Sequence, residues 1–217
     1  MGTSWGTKSP PRLVRMDEPS EVIEPGENQS EDVGEVEQPV PTDTIATTAR
    51  LRLRRLRDAD LADLFALESV EDVWQAFHLG EQPTEEAVGA LLQAMIAGQG
   101  ALGEQSQRHS VAIEELDAPR FVGIIDLTAI GDLGDFAIAI TPEARGHHYA
   151  SEALPPYFEW CAVCGGVTTI IGAAHPDNAA SIAAMQAAGM VEVDLGAATA
   201  DGENVEVRTF QWTVPAL

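Results

Sequence analysis

Arg145-Gly146-His147-His148-Tyr149-Ala150 follows the alternating apolar run Phe136-Ala137-Ile138-Ala139-Ile140 and opens a predicted helix from Ser151 to Cys164. A strand that ends in an Arg-Gly loop and enters a helix N-terminus makes an anion cradle. The free N–H groups of the loop and first turn, together with the helix dipole, favour a phosphate or diphosphate. An Arg-Gly pair before a helix is also an ordinary turn, so the weight of the signal comes from its neighbours. Pro142 precedes it, and Asn178 and Ser181 follow in a second predicted helix that Gly189 is placed to stop.

Working outward, the N-terminal side divides in composition. Between Met16 and Ala49 there are ten acids, four prolines and no Lys or Arg. Such a segment buries too little apolar surface to offset its ordering entropy, so residues 1–47 are expected to be a disordered acidic tail and residues 48–217 one folded domain. That domain holds 25 acids against nine arginines and no lysine, a net charge of −16. The charge excludes a nucleic-acid-binding surface and suits an amine-bearing, cationic partner; solvation alone is the simpler alternative. No transmembrane or signal segment is visible, and the reading is a cytoplasmic protein, a monomer or homodimer, with no membrane partner. Cys161 and Cys164 are the only cysteines. With no second pair at zinc spacing they read as small buried helix residues. His147 and His148 point apart as sequence neighbours and have no spaced carboxylate, so no metal site is expected.

The predicted elements run as follows. Leu51 and Leu53 alternate with arginines, the period of a half-exposed strand. Asp58 or Asp60 caps a helix through Leu67, a loop carries Trp74, Phe77 and His78, and Thr84 opens a second helix. His109–Ile113, Phe121–Leu127 and Asp135–Ile140 form an antiparallel meander. After the Arg145 helix come a strand at Val167–Gly172, a helix at Asn178–Ala188 and strands at Met190–Leu195 and Val205–Val214. This is an α+β order, with one mixed, mostly antiparallel central sheet flanked by helices. Pro155 and Pro156 fall inside the Arg145 helix and are expected to kink or end it, at about 3 kcal/mol or more each in a regular helix.

Taken together, Ile140-x-Pro142-x-x-Arg145-Gly146-x-x-x-Ala150-x-Glu152-Ala153-Leu154 and Asn178-x-x-Ser181…Gly189 resemble a GNAT-type N-acetyltransferase over residues 48–214. Arg57-Asp58-Ala59-Asp60 looks like the start of the branch that acetylates N-terminal amines of ribosomal proteins. The resemblance implies acetyl-CoA as co-substrate. Its diphosphate would lie on Arg145, Gly146, His147, His148, Tyr149 and Ala150, its pantetheine arm along Ile138 and Ile140, with Asn178 hydrogen-bonded to that arm. Asp135 would take the amine's proton and Ser181 would supply one to the departing sulfur, while Trp74, Phe77 and His78 would border the acceptor groove. As alternatives, Asp135 caps a turn, Asn178 caps its helix, and Trp74 and Phe77 are core. The chain departs from the family pattern at His148, where glycine is usual. A catalytically silent acyl-CoA-binding or interaction module is the competing reading of function.

Overall fold

The computed structural model describes residues 43–77, 82–98, 107–193, 198–200 and 203–215. Eight strands form one sheet in the order β1-β2-β3-β4-β5-β6-β10-β7. They are β1 (Thr44–Thr47), β2 (Leu51–Arg55), β3 (Gln107–Glu115), β4 (Phe121–Ile130), β5 (Leu133–Ile140), β6 (Thr169–Ala174), β7 (Val191–Val193) and β10 (Arg208–Thr213). Every pairing is antiparallel except β5 with β6. The expected mixed sheet and meander are therefore present. The sheet begins at Thr44 rather than at residue 48: Thr44–Thr47 pairs with β2, and Arg55 N–H donates to the Asp43 carbonyl. Val205, expected to open the last strand, instead ends a separate hairpin of β8 (Ala198–Ala200) and β9 (Glu203–Val205), and β10 starts at Arg208.

Helices α1 (Leu61–Glu68), α2 (Glu71–Phe77) and α3 (Glu85–Gly98) precede the meander; α4 (Tyr149–Gly165) follows β5 and α5 (Ala179–Ala187) follows β6. Two apolar clusters result. Leu64, Leu67, Val73, Val88, Leu92 and Met95 pack with Phe121, Ile124 and Ala139. The α4 residues Ala153, Leu154, Tyr157, Phe158 and Cys161 pack with Ile125, Leu127, Phe136 and Phe210. A register shift between Ile113 and Glu114 breaks strict alternation there, as a bulge does.

Three expectations need correction. The segment with Trp74 and Phe77 is helix α2, not a loop; its first turn carries Glu71 and Asp72, which suit a helix N-terminus. His78 lies outside the described residues. The arginine face of β2 is not an exposed strand face: Arg54 is buried, with Nη2 2.8 Å from Asp60 Oδ1 and Nε 2.8 Å from Glu114 Oε2. Asp60 also accepts the Arg57 N–H, so it closes the chain turn ahead of α1 while neutralising Arg54. Finally, α4 runs unbroken through Pro155 and Pro156. Both prolines are half-buried, whereas Leu154, Tyr157 and Phe158 beside them are fully buried. Each such side chain contributes about 1.5–3 kcal/mol on burial, enough together to outweigh two lost helix bonds.

Among the described residues no helix is long and apolar enough to cross a membrane, and no group of His, Cys, Asp and Glu is arranged to hold a metal ion. Cys161 is fully buried, and burial pushes its thiol up to about 12; a thiol that stays protonated is inert.

Candidate functional site

The site begins where two parallel strands part. β5 pairs with β6 only through Leu133, Gly134 and Asp135, while its other edge pairs with β4 along the whole strand to Ile140. Beyond that pairing the β6-facing groups of Ile138 and the Ile140 N–H are left for another partner, the condition under which an extended amide chain adds to a sheet edge. Ile138 and Ile140 lie in this stretch, their side chains turned to the α4 cluster. Because β5 and β6 are parallel, the Arg145 loop and the Asn178 segment leave the sheet at the same end, where ligands of α/β sheets gather.

The loop itself is a tight winding. Pro142–Ala144 makes a single 3-10 turn, Gly146 has φ +78°, and His148 has φ +62° as the N-cap of α4. His148 is the only described non-glycine residue with positive φ, so the histidine adopts the conformation that makes glycine usual here. A Cβ built on Gly146 would meet nothing within 4 Å; the loop face is open. Glu152 N–H returns to the His148 carbonyl, so the N–H groups of Tyr149, Ala150 and Ser151 precede the first helical bond and are the orphan donors of the helix start. His147 and His148 are exposed and Ala150 is half-buried. Tyr149 offers only its backbone. Its side chain is buried and its hydroxyl donates to Glu115 Oε1, which raises the phenol pKa and, with Arg120, lowers that of Glu115.

Arg50, on the turn between β1 and β2, fixes this loop from behind. Its Nη2 donates to the His147 carbonyl at 3.0 Å, its Nε donates to Glu152 Oε2 at 2.7 Å, and its guanidinium lies over the Tyr149 ring. Burial alone would raise the Glu152 carboxyl, but the hydrogen bonds from Thr48 and Arg50 lower it. Arg145 faces the other way. Its Nε donates to the Ile140 carbonyl at 3.1 Å, and its Nη1 and Nη2 lie 2.9 and 3.2 Å from the two carboxylate oxygens of Asp72 on α2.

Asp135 is opposite Thr128 on β4, and Ala137 is opposite Asp126. By strand alternation Asp135, Ala137 and Ala139 share one face. A cavity of about 300 Å³ opens on that face, lined by Glu68, Arg108, Ile124, Asp126, Ala137, Ala139 and the α3 residues Leu91 and Met95. Asp126 accepts Arg108 Nε at 2.8 Å and Ser110 Oγ at 2.6 Å. The Asp135 carboxyl is raised above the usual range, first by desolvation and then by the charge of Asp126. It nevertheless remains solvent-exposed, as a group on a cleft wall does. A carboxylate so raised is a stronger base than a free aspartate.

On the other side, Asn178 Oδ1 accepts the Ser181 N–H at 3.0 Å and caps α5. That leaves its Nδ2 as the group able to reach a ligand. Ser181 is half-buried in the first turn. The structure thus brings Arg145, Gly146, His147, His148, Ala150, Asn178 and Ser181 to one end of the parted strands. Trp74 is half-buried on α2, the helix whose Asp72 reaches the loop. Sequence reasoning passed over Asp72, Arg50, Asp126 and Arg108, whose roles arise from distant pairings with no local motif.

The profile of the acetyltransferase (GNAT) domain matches residues 50–191. The chain belongs to this family. GNAT proteins of known structure share its fold. An acetyltransferase from Bacillus anthracis superposes with a TM-score of 0.64 at 18% identity, covering 77% of this chain and 96% of its own. A spermidine N-acetyltransferase from Vibrio cholerae, solved with CoA and spermine, gives 0.62 at 17%, covering 76% and 96%. The ribosomal L7/L12 α-N-protein acetyltransferase RimL, solved with CoA, gives 0.61 at 15%, covering 79% and 98%. No curated protein matches the chain significantly in sequence. The last two structures hold CoA, and the residues of this chain fit such a group: an open strand edge for amides, a loop of free N–H groups with space above Gly146, and an arginine beside it.

Proposed function

We propose that this GNAT domain acetylates a primary amine on a cationic acceptor, a protein N-terminus or a small-molecule amine. The observation that carries the reading is the β5 edge at Ile138 and Ile140, left unpaired between the Arg145 loop and the start of α5. When bound, acetyl-CoA supplies a thioester acyl group and leaves as a thiol. Gly146, His147, His148, Tyr149 and Ala150 present N–H groups to the diphosphate, and Arg145 adds positive charge; Ile138 and Ile140 present backbone amides to the pantetheine arm, joined by Asn178 Nδ2.

The acceptor side is the cavity beneath α1 and α3, walled by Glu68, Leu91 and Met95. Apolar walls at Leu91, Met95 and Ile124 suit the methylenes of an amine's stem, and the net negative charge of the domain suits its cationic end. Asp135 sits on the same face, next to the unpaired edge. Its carboxylate takes the ammonium proton, through water, so that the amine reacts neutral. Ser181 Oγ holds the proton that the departing sulfur takes up. That two proteins of this fold carry the names spermidine and ribosomal-protein N-acetyltransferase supports an amine acceptor.

Thiol release from acetyl-CoA, followed with N-terminal peptides, lysine, polyamines and aminoglycosides and checked by the acceptor's mass shift, tests the reading. Turnover is expected with at least one cationic amine. Ser181→Ala is expected to lower kcat roughly 10²-fold with little change in acetyl-CoA affinity. No turnover with any amine would overturn the proposal.

A further inference from the structure

The cation best placed to meet the cofactor's diphosphate is already engaged. Arg145 is held by both carboxylate oxygens of Asp72 and by the Ile140 carbonyl. Asp72 stands on the first turn of α2, far from Arg145 in sequence. It makes no other contact among the hydrogen bonds and ion pairs described for the loop. Both side chains are solvent-accessible, at 41% for Arg145 and 65% for Asp72, so the pair is open to exchange. A diphosphate offers the same bidentate geometry as a carboxylate with more charge, and guanidinium binds it in preference.

We propose that Asp72 is an internal competitor for the cofactor: it holds Arg145 until the diphosphate displaces it, and the freed carboxylate then binds the cationic end of the acceptor. This rests on the acetyl-transfer reading above. Asp72 lies on α2, whose Val73 belongs to the apolar cluster that also holds the cavity-lining Met95 and Ile124, so its release adds one negative charge on that side at the moment the cofactor arrives. The consequence is an order of binding. A cationic acceptor meets a rim whose Asp72 is neutralised by Arg145 in the empty enzyme, and a free carboxylate in the loaded one.

The test is calorimetric titration of the full chain with acetyl-CoA, comparing the parent with Asp72→Asn. The variant is expected to bind about two- to fivefold more tightly at low salt, the range that an exposed ion pair supports. The difference should vanish near about 0.5 M salt, where such pairs are screened, and should disappear in an Arg145→Gln background. S-acetyl-pantetheine, which lacks the diphosphate, should show no difference between the variants. With acetyl-CoA saturating, Asp72→Asn should raise the KM for a diamine acceptor and leave kcat unchanged. Equal or weaker acetyl-CoA binding by Asp72→Asn, while the parent binds, overturns the competition and leaves the acetyl-transfer reading standing. Tighter binding with an unchanged acceptor KM overturns the role in acceptor binding. If neither protein binds acetyl-CoA, both readings fall together.

Discussion

The guanidinium of Arg50 stands 4.8 Å from the centre of the Tyr149 ring, so a residue of the first β-turn roofs the first residue of α4. The same group donates to the His147 carbonyl and to Glu152. One side chain therefore sets where the loop's peptide planes point, although it does not itself reach the open face. Arg50→Gln is expected to weaken acetyl-CoA binding about threefold to tenfold, the scale of a lost charge-assisted hydrogen bond. Melting temperature should move little, since Arg50 is exposed. Titration calorimetry beside a thermal melt separates the two; a large melting shift with unchanged affinity would make Arg50 purely structural.

Gly146 and His148 lie in the same left-handed region for opposite reasons. A Cβ at Gly146 meets no atom within 4 Å, so the first cost of Gly146→Val is its φ of +78°. Acetyl-CoA binding should fall by about 1–3 kcal/mol. His148→Gly relieves the one strained non-glycine residue described and should bind at least as tightly as the parent. Collapse of binding in that variant would show that the imidazole itself holds phosphate.

The charge of Asp126 raises the Asp135 carboxyl, second to desolvation. Asp135 accepts a proton only when ionised, so kcat should fall as pH drops through its raised pKa, above the ordinary 3.8. Asp126→Asn removes the neighbouring negative charge, which lowers that pKa and should move the acid limb of the rate profile to lower pH. Asp135→Asn should remove the limb altogether. Rates against pH with one confirmed acceptor decide this, and an acid limb indifferent to Asp126 would rule out the coupling.

Because Thr44–Thr47 is a paired strand, the two truncations at the N-terminus should differ. Removing residues 1–42 is expected to leave melting temperature and acetyl-CoA affinity at parental values, as a solvated acidic segment would. Removing residues 1–47 also strips the edge strand and Asp43, whose carbonyl takes the Arg55 N–H, and should lower the melting temperature by several degrees. Equal melting of both proteins would show that β1 adds nothing to the sheet.

Much of this architecture could be read from local pattern. The meander was legible because His109–Ile113, Phe121–Leu127 and Asp135–Ile140 alternate between short turns. The anion loop was legible because its chemistry lies in consecutive residues. Gly189, at φ +82°, stops α5 as a C-terminal glycine should. What escaped depends on pairings across the chain. Arg54 looks exposed by its period until Asp60 and Glu114 close over it. The two prolines look like a helix end until the aromatic face of α4 is buried. Asp72 had no signal at all, because a single acid in an acidic chain is distinguished only by the arginine it meets.

The parting of β5 from β6 has a consequence for stability as well as for chemistry. A strand paired on one side only is an unfinished piece of sheet, and in the proposed complex the pantetheine arm is the strand that finishes it. The amide hydrogens of Ile138 and Ile140, on the β6 side, should therefore exchange quickly with solvent in the free protein and slowly in the loaded one, while those of Ala137 and Ala139, facing β4, stay slow in both. The protein's resistance to heat then rises with the cofactor concentration around it, by mass action. The stability of such a domain thus reports how much acyl donor surrounds it.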